Sequence, residues 1–200
     1  MTMDSKAARP GSTDCVMLAA GESTRMGTFK LMLPTGGATV IESSVANALA
    51  AGCRVLLVVG HQGEQVRELF AGRDGVTIVE NPEYRRGMFS SIRAGVSQVR
   101  TGRFFIALGD MPLIEPGIFR LLTTFDDADA VRPTFDGRKG HPVLMVRDLI
   151  DTIRKYDDSR SMSDVLSGRV VREVPVSDRS VLYDVDTPAD YAELPDAGGE

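Results

Sequence analysis

Short apolar runs alternate with longer segments of mixed polarity over most of the chain. Because the runs contain few polar positions, they are typical of strands in a parallel sheet that is covered on both faces. They comprise residues 15–17, 55–59, 76–79 and 104–108. The segments between them carry apolar residues at spacings of three and four, which predicts crossover helices. These helices are expected at residues 39–51, 62–70 and 90–99.

The repeated order of strand, helix and strand predicts a single-domain, Rossmann-like α/β fold with a doubly wound, mostly parallel sheet. In such folds ligands bind at the loops that follow the carboxyl ends of the strands. Residues 142–146 and 170–174 are expected to add strands antiparallel to the others, and residues 188–194 a last short helix. Functional residues should therefore lie in the loops after the strands.

Composition narrows the class of protein. The 200 residues, 42% of them hydrophobic, are enough for one sizeable core. We expect a domain at residues 14–194, between a disordered tail at residues 1–13 and a second tail at residues 195–200. The formal net charge of -5 argues against a surface that attracts nucleic acid or an anionic membrane as a whole. It permits a local cationic pocket.

The chain lacks the sequence features of export and of membrane insertion. Its first residues have no apolar core for a signal peptide, and no run approaches the roughly 20 apolar residues of a membrane span. Cys15 and Cys53 lie in or beside apolar segments without a metal-ligand spacing, which favours buried, reduced thiols. We therefore expect a cytoplasmic protein without nucleic-acid or membrane partners.

The first predicted strand runs directly into LAAGESTRMGTFK, residues 18–30. Gly21 and Gly27 let the backbone approach a ligand closely, and successive exposed N–H groups form a concavity suited to anions. Arg25 and Lys30 add positive charge, and together they suit a polyphosphate. The loop matches neither the Walker A nor the GxGxxG pattern, so a solvated loop with incidental charges is the alternative interpretation.

Carboxylates occur in two later segments. Asp110 directly follows the buried run FFIALG, at the edge of the sheet where the first loop is also expected. Asp184 and Asp186, in YDVDTP, are expected at the end of another strand, before a helix that begins with Pro188. Mg²⁺ is usually held by one or two carboxylates with phosphate oxygens and water, so Asp110 and Asp186 form a candidate metal site. A helix cap is the alternative role for Asp186.

Five blocks follow one another along nearly the whole ordered chain: LAAGESTRMGTFK, NPEYRRGMFSSIRAG, LGDMP, GRKGHPV and DVDTP. Together they resemble the MobA-like nucleotidyltransferases, and within them the branch of the molybdenum cofactor cytidylyltransferases. The resemblance implies a fold of the nucleotide-diphospho-sugar transferase type. Order and spacing make it specific, since any single block is a weak signal.

The resemblance also implies roles for individual residues. Arg25 and Lys30 would contact the nucleoside triphosphate and its leaving pyrophosphate, and with Asp110 they are the implied catalytic residues. Asp110 and Asp186 would hold Mg²⁺. The implied nucleotide-binding residues are Leu18, Ala19, Ala20, Gly21, Arg25, Lys30, Asn81, Gly87, Met88, Ser90 and Ser91. The implied acceptor-binding residues are Gly140, His141 and Pro142.

One segment departs from the family pattern. Residues 157–162, DDSRSM, stand where close relatives often carry a Gly-Asp-x-Gly stretch. This departure puts the identity of the acceptor in question more than that of the donor. A basic cluster of Arg85, Arg86 and Arg93 has two interpretations, as a group that meets an anionic substrate or as solvated surface charges.

The family resemblance implies Mg²⁺-dependent transfer of CMP from CTP to molybdopterin. Two features of the sequence favour CMP over GMP within this family: the first loop begins with LAAG rather than LAGG, and GMFSS follows later. An acceptor phosphate oxygen would attack the α-phosphorus and expel pyrophosphate, so no covalent enzyme nucleophile is needed. Three alternatives stay open: GMP transfer from GTP, nucleotidyl transfer to a sugar phosphate, and a nucleotide-binding regulator without turnover. A molybdoenzyme or its chaperone is the candidate protein partner.

Overall fold

An eight-stranded mixed sheet forms the centre of the fold. The computed structural model describes residues 13–23 and 26–195, so Arg25 and nearly all of the two predicted tails lie outside the described residues. The strands are β1 (Asp14–Ala19), β2 (Pro34–Thr35), β3 (Ala38–Thr39), β4 (Arg54–Val59), β5 (Val76–Glu80), β6 (Arg103–Leu108), β7 (Ala130–Phe135), β8 (Arg138–Lys139), β9 (Val143–Val146) and β10 (Val171–Pro175). The helices are α1 (Val40–Ala50), α2 (Gly63–Leu69), α3 (Met88–Val96), α4 (Pro116–Thr123), α5 (Leu149–Lys155), α6 (Met162–Val165) and α7 (Pro188–Ala192).

The strands of the sheet follow the order β10-β7-β9-β6-β1-β4-β5, with β8 paired to β7, while β2 and β3 form a separate hairpin. β1 lies parallel to β4 and β6, and β9 lies antiparallel to β6 and β7. β10 pairs in parallel with β7. The predicted antiparallel orientation is therefore confirmed for β9 and wrong for β10. β9 reverses the direction of the chain, and the connection through α5 and α6 reverses it again, so β10 runs parallel to β7.

Side chains of the central strands alternate between two apolar cores, one on each face of the sheet. Met17 packs in the core that α1, α2 and α4 complete, and Val16 packs in the core completed by α3 and α5. The doubly wound α/β class is thus confirmed. Cys15 and Cys53 are buried free thiols, as predicted. Burial, with a further contribution from the charge of Asp14, raises the pKa of Cys53 to about 12.

The order of strands reverses beside β1. From β1 the chain moves outward to β4 and β5, and then returns to β6 on the other side of β1. Such a reversal opens a crevice at the carboxyl ends of the strands, which is the usual ligand position in open α/β sheets. The loops after β1 and β6 meet there, because the Gly109 N–H donates to the Leu18 carbonyl at 2.9 Å.

Within residues 13–23 and 26–195, no helix has both the length and the apolar character that crossing a bilayer requires.

Candidate active site

A cleft of about 470 Å³ opens at the carboxyl ends of β1 and β6. Its volume lies in the range of roughly 300–1,000 Å³ that is common for small-molecule sites. The predicted site residues that line it are Leu18, Ala19, Ala20, Gly21, Lys30, Gly87, Met88, Ser91, Asp110 and Asp186. Segments that are far apart in the sequence therefore meet at one site.

Lys30 joins two acidic residues in this cleft. Its Nζ atom lies 2.6 Å from Asp110 Oδ2 and 2.7 Å from Asp186 Oδ1. Lys30 begins a short 3₁₀ turn, and the flanking side chains of Phe29 and Leu31 are buried in the core. Burial alone lowers the pKa of Lys30, but the charges and hydrogen bonds of the two carboxylates outweigh burial and raise it. Lys30 therefore stays a cation at neutral pH.

The turn that carries Asp110 is held from helix α1. The buried hydroxyl of Ser44 donates to the Gly109 carbonyl at 2.9 Å, and the side-chain amide of Asn47 donates to the Pro112 carbonyl at 2.9 Å. Both hydrogen bonds satisfy backbone carbonyls of the turn, one on each side of Asp110. Ser44 and Asn47 thus fix the direction in which the Asp110 carboxylate leaves the end of β6.

The second acidic segment approaches Asp110 through its backbone. The Val185 N–H donates to the Asp110 carbonyl at 3.0 Å, and the Val185 side chain is buried. Residues 183–187 form a loop after the 3₁₀ turn Arg179–Leu182, so the prediction of a strand end here is wrong. The segment pairs with the Asp110 turn instead of with a strand. In extended backbone, neighbouring side chains point to opposite sides, so burial of Val185 directs Asp184 and Asp186 into the cleft.

The start of α7 is capped by Thr187. Its hydroxyl accepts from the Asp190 N–H at 3.3 Å, and the Asp190 carboxylate accepts from the N–H groups of Asp186 and Thr187 at 3.1 and 2.7 Å. The cap alternative for the Asp186 side chain is therefore wrong, because the capping positions are taken by Thr187 and Asp190. The Asp186 carboxylate instead faces Lys30.

Asp110, Asp184 and Asp186 form a compact acidic cluster. One carboxylate oxygen from each lies within 4.8 Å of the others. Burial, followed by the negative charges of Asp186 and Asp110, raises the pKa of Asp184. Mg²⁺ and similar hard cations prefer oxygen ligands, so the donor set fits a divalent cation. The sequence predicts a metal site formed by Asp110 and Asp186. In the structure, the Asp184 carboxylate lies in the same cluster.

The loop after β1 presents its backbone to the cleft. Ala19, Ala20 and Gly21 line it, and the space beside the Gly21 Cα is open. The loop turns back through Gly27, whose φ of +67° lies in the region that favours glycine. Arg25 lies outside the described residues, so its role stays a prediction.

The wall across from this loop is formed by the segment after β5. Gly87, Met88 and Ser91 line the cleft, and the Met88 side chain is 63% exposed. Asn81 and Ser90 are buried behind this wall. The Asn81 amide nitrogen donates to the hydroxyls of Ser90 and Ser91, both at 2.9 Å. The structure thus places Asn81 and Ser90 as supports of the wall and not on its surface.

The GHPV block packs against the 3₁₀ turn that precedes the acidic segment. The His141 N–H donates to the Val181 carbonyl at 2.9 Å, and a Cβ atom on Gly140 would lie 2.5 Å from that oxygen. Burial lowers the pKa of His141, against opposing effects of the Asp110 charge and of a backbone hydrogen bond with Ile106. Within the described chain, Gly140, His141 and Pro142 are not among the residues that line the cleft.

Ser44 and Asn47, which hold the Asp110 turn, are not identified from the sequence. Glu22 and Tyr84 are also not assigned to the site from the sequence, although both line the cleft. A signal for Ser44 existed, because it lies one helical turn after Val40 on the apolar face of α1, and a polar group on a buried face needs a specific partner. Asn47 has no comparable signal, since it lies on the partly exposed side of the same helix.

Comparisons with known proteins identify the family of the chain. Residues 15–175 match the family model of the MobA-like NTP transferase domain. The chain is 34% identical over 179 residues to the molybdenum cofactor cytidylyltransferase of Escherichia coli strain K12, covering 89% of this chain and 93% of that protein. It is 30% identical over 193 residues to a probable molybdenum cofactor guanylyltransferase of Mycobacterium avium strain 104, covering 91% and 94%.

A similar fold is also present in a known structure. The crystal structure of Rv0371c from Mycobacterium tuberculosis H37Rv in complex with manganese superimposes with a TM-score of 0.76 at 27% sequence identity. The match covers 92% of this chain and 97% of that chain. Fold and sequence comparisons therefore indicate the same family.

Proposed function

The chain belongs to the MobA-like NTP transferase domain family and is a nucleotidyltransferase, and we propose that it transfers CMP from CTP to molybdopterin with release of pyrophosphate. The observation that carries the proposal is the meeting of Lys30 with Asp110 and Asp186 at the strand-order reversal. The 34% identity to a cytidylyltransferase, which extends over 89% of the chain, supports CTP as donor and molybdopterin as acceptor.

The proposed reaction needs alignment and charge neutralisation more than covalent chemistry. An acceptor phosphate oxygen attacks the α-phosphorus of CTP, and the bond from that phosphorus to the bridging oxygen breaks, so that pyrophosphate leaves. The backbone of Ala19, Ala20 and Gly21 would bind phosphate oxygens, and Lys30 would add positive charge beside them. Arg25 would contribute a second cation from the same loop.

The acidic cluster supports a metal requirement. Three carboxylates lie within 4.8 Å of one another, and within the described part of the chain the Lys30 ammonium pairs with two of them, Asp110 and Asp186. Asp110, Asp184 and Asp186 would hold Mg²⁺ through their oxygens, which is the donor type that this ion takes. When bound, Mg²⁺ would neutralise charge on the phosphoryl oxygens.

The acceptor side of the proposal rests on the GHPV block. Gly140, His141 and Pro142 follow β8 and pack beside the turn that leads to Asp184. In the described chain, His141 Nδ1 is buried and has no hydrogen-bond partner. The lowered pKa of His141 favours the neutral imidazole, which offers one donor and one acceptor nitrogen.

A second candidate, GMP transfer from GTP, is supported by the 30% identity to a probable guanylyltransferase over 91% of the chain. Measurement of pyrophosphate release distinguishes the two. CTP, GTP, ATP and UTP are each supplied with Mg²⁺ and with molybdopterin, a sugar phosphate or no acceptor, and the nucleotide product is identified by mass spectrometry. We expect release with CTP and molybdopterin together.

Other outcomes of this experiment point elsewhere. Release with GTP alone among the four would replace the proposal by guanylyl transfer, and release only with a sugar phosphate would replace the acceptor. Tight triphosphate binding without pyrophosphate under every condition would indicate a regulator. The variant Asp110→Asn controls for a contaminating activity, because it removes one ligand of the acidic cluster and should abolish release.

A further inference from the structure

The carboxylate of Asp158, in the connection between α5 and α6, contacts two arginines that flank the wall of the cleft. Asp158 in this connection is 11% exposed, and its Oδ2 atom lies 2.6 Å from Nε of Arg86. Its other oxygen, Oδ1, pairs with the guanidinium of Arg93. Two arginines of the basic cluster, Arg86 and Arg93, are thus ion-paired to one mostly buried carboxylate.

Arg86 and Arg93 are themselves anchored on either side of this carboxylate. The Arg93 guanidinium also donates to the Tyr156 carbonyl at 2.9 Å, which ties α3 to the end of α5. Arg86 ends the 3₁₀ turn Tyr84–Arg86 and also pairs with Glu83 at 2.7 Å. Asp158 therefore connects the 3₁₀ turn Tyr84–Arg86 to Arg93 in α3, and the first residues of this helix belong to the wall.

The residues between these two arginines form the wall itself. Gly87, Met88 and Ser91 line the cleft, and Gly87 has a φ of +103°, a backbone conformation that favours glycine. Asn81 and Ser90 tie the beginning of the 3₁₀ turn to α3 from behind, because the Glu83 N–H donates to Asn81 Oδ1 at 3.0 Å and the Ser90 hydroxyl donates to the Glu83 carbonyl at 3.1 Å. The bridge through Asp158 adds a second tie across Gly87, from Arg86 at the end of the turn to Arg93 in α3.

We propose that Asp158 is a positioning residue for the donor nucleotide, which holds residues 84–91 in the arrangement that receives the base and ribose. The inference rests on the proposed function, since it assigns this wall to the nucleotide. It also revises the interpretation of the DDSRSM segment. That departure was expected to bear on the acceptor, whereas the contacts of Asp158 connect the segment to the donor side of the cleft.

The first test needs no ligand. Hydrogen–deuterium exchange of residues 84–91 is compared between Asp158→Asn and the matched control Asp157→Asn. The Asp157 carboxylate is exposed and accepts from the Ser159 N–H at 2.9 Å, within its own turn. Loss of the bridge should raise exchange in this segment about tenfold in Asp158→Asn and leave it unchanged in the control. Equal exchange in the two variants would overturn the proposal.

The second test separates the donor from the acceptor. With the intact chain, Asp158→Asn should raise KM for CTP about tenfold, with kcat within about threefold and KM for molybdopterin unchanged. A rise in KM for molybdopterin alone would overturn the donor assignment. If the wild-type protein releases no pyrophosphate from any triphosphate, the proposed function fails, while the exchange measurement still decides whether Asp158 holds the wall.

A milder variant controls for the possibility that Asp158→Asn misfolds. Arg86 is 53% exposed, so Arg86→Gln removes half of the bridge without leaving a buried charge unpaired. It should change exchange and KM for CTP in the same direction as Asp158→Asn but by less. Wild-type values in Arg86→Gln, together with a lowered melting temperature in Asp158→Asn, would show a purely structural role and overturn the proposal.

Discussion

The ammonium of Lys30 lies 2.7 Å from Asp186 Oδ1, across 156 positions of sequence. The same nitrogen lies 2.6 Å from Asp110 Oδ2, so one cation compensates two carboxylates that come from different parts of the chain. Lys30 thus stabilises the acidic cluster and also faces the cleft in which phosphate groups would lie. Removal of Lys30 should therefore weaken nucleotidyl transfer but strengthen the binding of Mg²⁺ in the absence of nucleotide.

Substitution Lys30→Met should lower the rate of pyrophosphate release by on the order of 10²-fold, since one charged contact to the phosphoryl groups is lost. In the same variant, Mg²⁺ should bind more tightly in the absence of nucleotide, because the carboxylates lose their cation. Isothermal titration calorimetry with Mg²⁺ measures the second effect. Lys155→Met, an exposed lysine at the end of α5, is the control. Weaker Mg²⁺ binding in Lys30→Met would contradict this account of the cluster.

Ser44→Ala should lower activity without unfolding the protein. The Ser44 hydroxyl donates to the Gly109 carbonyl at 2.9 Å, so its loss leaves a buried carbonyl unsatisfied at the base of the Asp110 turn. Such a loss costs about 1–3 kcal/mol, part of which the turn can relieve by shifting. We expect kcat to fall several-fold while the far-ultraviolet circular dichroism spectrum is kept.

The neighbouring Ser43→Ala is the control for this effect, because Ser43 lies on the partly exposed side of α1. Equal kcat values in the two variants would show that the hydrogen bond from Ser44 does not position Asp110.

Helix α3 crosses β1 and β4 at Gly95. A Cβ atom there would collide with the Val16 side chain and lie 2.8 Å from Val58 Cγ2. Gly95→Ala should therefore lower the free energy of unfolding by about 1–3 kcal/mol, because overpacking outweighs the better helix propensity of alanine. Gly117 in α4 has no atom within 4 Å of such a Cβ. Gly117→Ala should be neutral or slightly stabilising, and urea unfolding compares the two. A Gly95→Ala protein as stable as Gly117→Ala would contradict the packing.

The central strands, the doubly wound class and the crossover helices were predictable because each is encoded in a local apolar pattern. β7 was not predicted, since Arg132 and Pro133 interrupt its apolar run and proline usually marks an edge strand. α4 was overlooked although Pro116 and the apolar positions after it carry a helix signal. The sequence predicts a strand end at residues 183–187, where the structure has a loop, because the alternating pattern there suits any extended backbone.

The motifs predicted which segments meet, but not which side chains face the cleft. Asn81 and Ser90 belong to the same block as Ser91, yet the first two bond to each other behind the wall. The sequence alone does not distinguish a polar residue that binds a ligand from one that supports the wall of the site. The bridge between Lys30, Asp110 and Asp186, and that between Asp158 and two arginines, depend on contacts between distant segments, which no local pattern encodes.

Asp14 is expected to make stability depend on acid pH. Its buried carboxylate lies 2.8 Å from Arg54 Nε and accepts from the Arg100 N–H at 2.6 Å. Burial alone raises the pKa of Asp14, but these hydrogen bonds and the charge of Arg54 outweigh it, so the pKa lies below its ordinary value of 3.8. A carboxyl group with a lowered pKa contributes stability above the unfolded-state pKa and loses it as the pH falls through the folded-state pKa.

Asp14→Asn should therefore lower the free energy of unfolding at pH 7 by about 3 kcal/mol, since the partly buried Arg54 loses its partner. The difference from wild type should stay constant down to about pH 5 and shrink below about pH 4, where the wild-type carboxylate becomes protonated in the unfolded and then in the folded state. Urea unfolding at a series of pH values measures this. Asp148→Asn, an exposed carboxylate without a capping hydrogen bond, should show no such trend. A difference for Asp14→Asn that persists undiminished at pH 3 would show that its cost arises from packing and not from the ion pair.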